Sequence, residues 1–442
     1  MSFSQDSAQR ETGCPVADQL GSNRAVGKTE PLEKRVRPAE TLLADAPVYK
    51  RAALASQAFL GLHRYLQQQH YRGYEFDDFL ASPVARLLSL NSLFLQRVAV
   101  QVGELLPLNV RPLLGIRKLE SAKARGFFAK GYLYRFLSTG HESWLSTAVS
   151  CLDWLLENSS QQYPGVSWGN AFDFASRGGL IPKDSPTIVW TAHIAEAFDL
   201  AYGVTKKLEY LNALEQSARF IISALERHED ERGICFAYGP GAPALVFNSN
   251  LLGAATLFRW WKHSGDSTCF DLAQRAIAWT LPQINPDGSW YYGAGARYRW
   301  IDNFHTAYNI DCLVAAHELG GASVVPEAVI EKSYQFWTTH FFLSDGTPKY
   351  YHARTYPLDI QCAAQAIETL SKLRGRFPTA GPLVDKVLVW TLGHMQKKNG
   401  AFRYQIWPFW KNSLEAIHWG QSTMLAALGA YLYSVPTIGH KS

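Results

Sequence analysis

The sequence of 442 residues lacks the features that mark several common classes of protein. Its six cysteines lie far apart and form no CxxC pair, which excludes a zinc-finger spacing and predicts free, mostly buried thiols. No run of about 18 apolar residues is present, so no transmembrane helix is expected. The N-terminus has no apolar segment of the kind found in secretory signals, and we therefore expect a cytoplasmic protein.

Charge and strand patterns are scarce as well. Only 18% of the residues are charged, and the net charge of +5 is spread without a run of Lys or Arg, which argues against a nucleic-acid-binding protein. Alternation of apolar and polar residues, the pattern of a half-buried strand, is rare. An apolar content of 47% is enough for a large core, so we expect a predominantly helical chain.

Helical periodicity, with apolar residues three and four positions apart, dominates from residue 47 onward. Residues 1–46 are polar and aperiodic, which predicts a flexible or extended arm; residues 47–436 are expected to form one domain, followed by a tail at 437–442. The predicted helices cover 49–69 and 82–104, then the pairs 118–138 and 142–158, 186–203 and 208–227, 249–263 and 270–283, 302–319 and 326–340, 359–374 and 384–397, and finally 419–433.

The loops between these pairs repeat a glycine among aromatic residues. The glycines are Gly73, Gly165, Gly233, Gly288, Gly346 and Gly400. The last five are about 55–70 residues apart, and a period of that size indicates a repeat architecture. We expect each glycine to follow the C-terminus of a helix, where a left-handed residue ends the helix without a Cβ clash.

Six such loops and about twelve helices predict an all-α, closed ring of six helical hairpins, an (α/α)6 toroid. The last helix, at 419–433, would find its partner in a helix near the N-terminus. The alternative is an open solenoid, which needs polar repeats at both ends. The C-terminal helix contains the apolar stretch MLAALGAYLY, so closure is favoured.

Two loop sequences resemble a known repeat. The stretches Gln283 to Trp290 and Gln396 to Phe402 resemble the Gln…Gly-x-Trp repeats of squalene cyclases and related toroids. That resemblance implies that the glutamine and the aromatic residue brace successive helices. The same toroid occurs in six-hairpin glycosidases, uronate polysaccharide lyases and epimerase-like domains. Residues of about 110–435, including WGNAFDF and PKDSPTIVWTAH, are similar to toroid proteins associated with bacterial exopolysaccharide biosynthesis, which implies a carbohydrate-active protein.

The motifs of isoprenoid chemistry match poorly. Cyclases of the squalene type carry an Asp-x-Asp-Asp element, and this chain has only Glu75-Phe76-Asp77-Asp78 in its atypical first loop. The zinc-binding Asp-x-Cys pair of protein prenyltransferases is absent, since Asp359 and Cys362 have the wrong spacing. We therefore expect neither a metal nor another cofactor.

Candidate site residues follow from the toroid. Its long loops lead into inner helices whose N-termini should surround one mouth, where free backbone N–H groups suit carboxylate or hydroxyl-rich ligands. The catalytic candidates at or near these helix starts are Asp302, His305, Tyr308, Tyr351, His352 and Asp359. The substrate-binding candidates are Asp173, Arg177, Asn248, Asn250, Trp290, Arg354, Arg403, Tyr404, Trp410, His418 and Gln421.

Two mechanisms fit these residue types. In the first, His305, Tyr351 or His352 abstracts a proton next to a uronate carboxylate that Arg354 neutralises, as in a lyase or epimerase. In the second, Asp302 and Asp359 hydrolyse a glycosidic bond as a carboxylate pair. Each aspartate could instead simply cap its helix.

The hypothesis from sequence is thus an enzyme of polysaccharide or glycan-intermediate biosynthesis that acts on an oligosaccharide or a lipid-linked glycan. The many cations and tyrosines near the predicted mouth favour a uronate. Two alternatives stay open: a non-catalytic binding component of a polysaccharide synthesis complex, and an isoprenoid cyclase or prenyltransferase-like enzyme.

Overall fold

The computed structural model describes residues 47–90, 92–176, 179–242 and 245–435, so the predicted arm and tail lie outside the described residues. Fourteen α-helices follow along this part of the chain. They are Val48–Gln68 (α1), Pro83–Leu88 (α2), Leu93–Leu105 (α3), Ala122–Thr139 (α4), Glu142–Glu157 (α5), Ile188–Thr205 (α6), Leu208–Ala224 (α7), Phe247–Ser264 (α8), Ser267–Thr280 (α9), Asn303–Gly320 (α10), Glu327–His340 (α11), Ile360–Lys372 (α12), Ala380–His394 (α13) and Thr423–Ser434 (α14).

Twelve of these helices form two concentric rings. The even-numbered helices from α4 to α14 form the inner ring, and each packs against its two inner neighbours, with α14 closing the ring against α4. Each inner helix from α4 to α12 also pairs with the outer helix that follows it in the chain. The partner of α14 is α1, so the N-terminal helix completes the last hairpin. The predicted (α/α)6 toroid is confirmed, and the open solenoid is excluded.

The burial of each helix follows its place in the rings. In the outer helix α5, the buried residues Ala148, Cys151, Leu152 and Leu155 lie on one face. In the inner helix α6, every residue from Ile188 to Ala195 is buried, because other helices or the lumen cover all of its sides. The five cysteines in the described residues are free and buried, as predicted, and Cys14 lies outside them.

The repeated glycines join the loops to the outer ring. Gly165, Gly233, Gly288, Gly346 and Gly400 all have positive φ, and each lies against the backbone of the next outer helix. A Cβ on Gly400 would lie 2.3 Å from the carbonyl oxygen of Gly61 in α1. The prediction that these glycines end helices is wrong: Gly400 comes six residues after His394, the last residue of α13. It is the close approach of two backbones that requires glycine there.

The motif side chains brace the helices as the resemblance implied. Trp290 is buried and donates from Nε1 to Oγ of Ser333 in α11 at 3.0 Å. Trp168 donates in the same way to the carbonyl of Leu155 in α5 at 2.9 Å. Gln396 donates to the carbonyl of Ala58 in α1 at 3.5 Å. These bonds make Trp290 part of the scaffold, although its residue type also suits a sugar contact.

The predicted helix at 82–104 is in fact two helices. The break falls at 89–92, where Leu90 has a φ of 47° and the hydroxyl of Ser89 donates to the carbonyl of Arg86 at 2.8 Å. Serine competes for backbone hydrogen bonds in this way, and the competition ends α2. We call residues 83–114, which contain α2 and α3, the apolar hairpin.

Short antiparallel strands shape the mouth loops. In the described residues they are Phe174–Ser176 (β1), Gly179–Ile181 (β2), Arg227–Asp230 (β3), Gly233–Phe236 (β4), Leu358–Asp359 (β5), Gln405–Ile406 (β6) and Lys411–Asn412 (β7). β1 pairs with β2 and β3 with β4, whereas β6 lies between β5 and β7. The last sheet ties the loop before α12 to the loop before α14.

Candidate active site at the mouth of the toroid

The inner helices begin at one mouth of the ring. Side chains of Ser121, Thr187, Asp302 and Asp359 cap four of them by accepting a backbone N–H from the first turn. A π-helix at Ile417–Ser422 leads into α14. Side chains from the first two turns of these helices then meet in the lumen. They are Lys123, Trp190, His193, Tyr308, Gln361 and His418.

Several short contacts define this lumen. The ring of His193 is 4.7 Å from that of Tyr308, and the ring of Trp190 is 5.4 Å from that of His418. Gln361 donates from Nε2 to the hydroxyl of Tyr308 at 2.7 Å. Burial keeps the pKa of Tyr308 well above its usual value, so the hydroxyl stays protonated. Four inner helices thus share one polar centre at the mouth.

Asp302 and His305 form a histidine–carboxylate pair beside this centre. Asp302 accepts the backbone N–H of His305 at 3.0 Å, and its Oδ2 lies 2.7 Å from Nδ1 of the same histidine. The indole of Trp300 also donates to Oδ2, at 2.9 Å. A carboxylate only accepts, so Nδ1 is the donor in this contact, and in the neutral form of the ring Nε2 is then the acceptor. No described residue bonds Nε2, and the side chain is 21% exposed. Asp302 therefore caps the helix and also contacts the ring of His305.

Aromatic rings surround this histidine. Tyr292 stacks on Trp300 at 4.4 Å and meets His305 edge-on at 4.7 Å, while Phe304 lies 4.0 Å from His305 on another side. Burial raises the pKa of Tyr292 well above its usual value, so this tyrosine is neutral. Such walls hold the imidazole in one orientation and offer flat faces for a sugar ring.

Asp359 differs from Asp302 in the partners of its two carboxylate oxygens. Its Oδ1 accepts the backbone N–H of Gln361 at 2.8 Å and the indole N–H of Trp419 at 2.9 Å, and its Oδ2 accepts the amide of Gln405 at 2.7 Å. Burial raises its pKa to about 6, although these bonds act against the rise. With both oxygens bonded and almost no exposed surface, Asp359 fastens loops together, and it does not form a free carboxylate pair with Asp302.

The segment from Glu75 to Asp78 enters the mouth from the first loop. Asp78 pairs with Arg111 at 2.6 Å, and Arg111 also donates to the carbonyls of Glu75 and Phe76. Glu75 accepts the backbone N–H of His418 at 2.9 Å. Oε2 of Glu75 and Oδ1 of Asp77 are buried, and no described residue bonds them. Two carboxyl groups thus reach the lumen, and each has an oxygen that accepts no hydrogen bond from a described residue.

Burial controls the protonation of these groups. It raises the pKa of Glu75 to about 8 and that of Asp77 to about 7, in the latter against the effect of His418. It lowers the pKa of His418 to about 3 and that of Lys123 to about 8. Nδ1 of His418 is 2.8 Å from Glu75 but outside hydrogen-bond geometry, which agrees with a neutral contact. At neutral pH, the mouth thus holds a neutral imidazole beside carboxyl groups that keep much of their proton.

His193 is the least satisfied of these residues. It is buried, and neither ring nitrogen has a hydrogen-bond partner among the described residues. Burial, together with Lys123 and Lys130, lowers its pKa well below the usual value. Buried polar atoms are nearly always paired, so this ring is positioned for a ligand or a water molecule.

Below the mouth, the lumen carries a different set of residues, which we call the charged belt. It consists of Lys130, Glu196, Arg259, Asp311, Glu368 and Lys372. Lys130 lies 2.8 Å from both Glu196 and Glu368. Burial alone would lower the pKa of Lys130, but the two glutamates raise it above the usual value. The belt thus ties five inner helices together through opposite charges.

Of the predicted residues, Tyr351, Arg354 and Trp410 lie at the rim. Arg354 is exposed and stacks over the ring of Tyr351 at 4.3 Å, and Trp410 stacks on Trp407 at 5.5 Å. His352 turns away from the mouth toward the outer helix α11, 6.1 Å from the ring of Phe336. Tyr351 pairs with Asp302 in a β-bridge, so the next side chain along the chain points to the opposite side.

Other predicted residues support loops. Asn250 bonds the backbone of β4 and α9, and Gln421 bonds both backbone groups of Phe402. Asp173 accepts the backbone N–H of Lys183 at 2.7 Å.

The remaining predicted residues take varied positions. Tyr404 is buried and stacks on Phe76, and burial lowers the pKa of the half-buried Arg403. Asn248 is buried with an unbonded carbonyl oxygen. Arg177 lies outside the described residues.

Sequence reasoning missed several residues of the mouth. Sequence patterns show Glu75 and Asp77 only as an imperfect cyclase motif, and they do not single out Lys123, Trp190, His193 or Gln361. Lys123 and His193 follow cap residues Ser121 and Thr187 within about two turns, on helices that are otherwise apolar. A polar side chain in such a helix is a usable signal, since it must face a partner or a cavity.

Comparison with known proteins supports this architecture. No model of a protein family and no curated protein sequence matches the chain. Several solved structures, however, match the chain in fold. Cellobiose 2-epimerase from Bacillus thermoamylovorans is 11% identical, with a TM-score of 0.57 over 71% of this chain and 87% of that one. Unsaturated glucuronyl hydrolase from Streptococcus agalactiae is 9% identical, with a TM-score of 0.55 over 89% and 95%. An α-mannanase from Bacteroides thetaiotaomicron is 11% identical, with a TM-score of 0.53 over 70% and 86%.

The likeness to these structures shows the fold, the (α/α)6 toroid that the loop sequences predicted. At such low identity the likeness concerns the fold, and the reaction has to be argued from the residues at the mouth.

Proposed function

We propose that this protein is a carbohydrate-active enzyme that moves a proton at a carbon atom of a sugar, as an epimerase, isomerase or lyase does, with His305 as the base. The observation that carries the proposal is the pair of His305 and Asp302. The carboxylate accepts a hydrogen bond from Nδ1, and no described residue bonds Nε2, which is the arrangement of a general base.

The chemistry proceeds through proton transfers at one carbon. Nε2 of His305 takes the proton from the carbon next to a sugar carbonyl or carboxylate. The electron pair of the C–H bond forms a C=C bond, and the π pair of the carbonyl moves onto its oxygen. Asp302 stabilises the imidazolium that forms. Return of a proton to the other face gives an epimer, return to the neighbouring carbon gives an isomer, and loss of the β-substituent gives a lyase product.

Other mouth groups supply the complementary proton. Glu75 and Asp77, with pKa values of about 8 and 7, are acids that still hold protons near neutral pH, and Lys123, at about 8, is partly charged there. Either kind of group stabilises a developing oxyanion. The rings of Tyr292, Trp300, Trp407 and Trp410 supply stacking surfaces for an oligosaccharide.

The substrate class is supported from two sides. The names of similar toroids, cellobiose 2-epimerase and unsaturated glucuronyl hydrolase, both refer to oligosaccharide or uronate chemistry. The guanidinium of Arg354 at the rim could bind a uronate carboxylate by donating hydrogen bonds to it. The sequence resemblance suggests polysaccharide or glycan-intermediate biosynthesis as the cellular context.

The test is hydrogen exchange from solvent. We would incubate the protein in D2O with reducing disaccharides and with uronate-ended oligosaccharides, and follow by NMR the incorporation of deuterium and the signals of epimerised, isomerised or unsaturated products. We expect His305→Asn to lower the exchange rate by about a hundredfold or more. The matched control is His263→Asn, which removes a similar bond, 2.7 Å to Asp199, deep in the ring. Equal loss in both variants would contradict the assignment.

A second candidate function is supported by Glu75 and Asp77. Two buried carboxyl groups, each with an unbonded oxygen, suit the acid and base of a glycoside hydrolase. In that case reducing ends would appear without deuterium at carbon, and Asp77→Asn would abolish the release while His305→Asn would not. Saturable binding with neither exchange nor hydrolysis would leave a non-catalytic binding protein.

A further inference from the structure

Most of the large apolar side chains that are exposed in the described residues belong to the apolar hairpin. Twenty large apolar side chains are exposed in the described residues, and twelve of them lie between Val84 and Leu113. Six are at least 70% exposed: Leu87, Leu88, Leu90, Phe94, Leu108 and Leu113. Scattered exposed apolar residues are normal, but a contiguous patch marks an interaction site.

The hairpin is firmly attached on its other side. Leu80, Val100 and Ala175 form a small buried cluster between it and the mouth loops. A Cβ on Gly103 in α3 would lie 2.1 Å from the ring of Phe79, so the helix presses closely on the first loop. Asn412 donates to the carbonyl of Glu104 at 3.1 Å. The exposed side chains are therefore the outer face of an anchored element beside the mouth.

The unpaired charges at the edge of the patch are cations. Arg117 and Lys118 are exposed there, whereas the exposed Arg86 pairs with Asp173 at 3.4 Å. The only carboxylate between Phe79 and Leu119 is Glu104, which is half-buried and lies near the mouth carboxylates Asp77 and Asp359. An apolar face with a cationic border fits a surface that is itself apolar and anionic.

No other described residue covers this face, since its side chains are exposed. None of the helices in the described part of the chain is long and apolar enough to cross a membrane. An apolar and anionic surface would meet both the leucines and the cations.

We propose that the apolar hairpin docks the protein onto an anionic phospholipid surface, with the leucines and Phe94 inserted among the acyl chains and Arg117 and Lys118 at the headgroups. This inference is independent of the reaction at the mouth. Docking through an element that borders the mouth brings the opening close to the lipid, where a lipid-linked glycan would be presented.

The test is flotation of the full chain with vesicles. We expect co-flotation with vesicles that contain phosphatidylglycerol, weaker binding to pure phosphatidylcholine, and a loss at high salt. Leu88→Ser with Phe94→Ser should lower the partition coefficient by about tenfold or more. Arg117→Glu with Lys118→Glu should remove the preference for the anionic lipid.

A matched pair of single variants controls for surface hydrophobicity in general. Leu87→Ser changes a side chain on the hairpin that is 76% exposed, and Leu208→Ser changes one on the outer helix α7 that is 72% exposed. Only the first should weaken flotation. All of these side chains are exposed, so unchanged melting temperatures will show that the variants fold.

Three outcomes would overturn the proposal. The first is the absence of flotation with any vesicle, and the second is equal loss in Leu87→Ser and Leu208→Ser. The third is a dimer in light scattering that Leu88→Ser with Phe94→Ser dissociates, because the hairpin would then bind a second copy of the chain. None of these outcomes depends on His305, so docking and catalysis can fail separately.

Discussion

The two ends of the lumen treat buried ionisable groups in opposite ways. In the charged belt, Lys130 and Lys372 each have carboxylates within 3.4 Å, and Glu368 bonds both of them. At the mouth, the ring nitrogens of His193 have no partner among the described residues. The polar groups of the belt therefore bond one another and hold the ring together. At the mouth, His193 is left able to bond a ligand.

The pKa directions express the same difference. In the belt, the attraction between charges outweighs burial, so the pKa of Glu196 lies well below its usual value and that of Lys372 well above. At the mouth, burial outweighs the neighbouring charges, so Glu75 tends to keep its proton and His418 tends to lose it. A group that is buried without an opposite charge becomes neutral, which is the state that acid–base chemistry needs.

The largest effect on stability is expected in the belt. Lys130→Met removes the cation between the partly buried Glu196 and the buried Glu368, which then share only Lys372. We expect a loss of about 3–5 kcal/mol in the free energy of unfolding, measured by denaturant titration. The control, Lys207→Met, breaks a surface pair with Glu209 and should cost less than about 1 kcal/mol. A similar small loss at Lys130 would show that the belt is not a structural element.

The next largest effect is a change in the pH dependence of stability at the mouth. The pKa of Glu75 is about 8 in the folded protein and 4.5 when unperturbed. Between these values the unfolded state releases the proton and the folded state keeps it, so the contribution of Glu75 to stability falls as the pH rises. Glu75→Gln should thus be more stable than the wild type at pH 8, by about 1–3 kcal/mol, with no such difference at pH 4.

The measurement for Glu75→Gln is denaturant titration at several pH values. Glu318→Gln on the surface, with a side chain 64% exposed, serves as the control and should not change the pH dependence. A constant difference between Glu75→Gln and the wild type from pH 4 to pH 8 would mean that Glu75 is ionised in the folded protein.

The smallest effect comes from one substitution made at both ends. His193→Leu removes an unpartnered, neutral ring and should change the free energy of unfolding by less than about 1 kcal/mol. His263→Leu removes a ring whose Nε2 bonds Asp199 at 2.7 Å and should cost about 1–3 kcal/mol, since the carboxylate loses its partner. If His193→Leu also lowers ligand binding, the ring faces the ligand. A larger loss of stability at His193 than at His263 would contradict the comparison.

Local patterns were sufficient for part of the site. Asp302 and His305 lie three residues apart at a predicted helix start, so their contact follows from helix geometry alone. The role of Trp290 as a brace followed from a repeated loop sequence. The outward face of the apolar hairpin did not follow, because periodicity predicts a helix and not which side another element will cover. The position of His352 depended on a β-bridge between two loops, which no local pattern shows.

The sequence by itself determined the ring. Helical periodicity, glycine turns and their spacing are local properties, and six hairpins with apolar faces on both sides can bury them only by closing on themselves. The tertiary structure alone decided the chemistry of the mouth. Glu75 meets His418 across 343 positions, and Lys130 meets Glu368 across 238. Closure brings these residues together, and the burial that closure creates sets their pKa values.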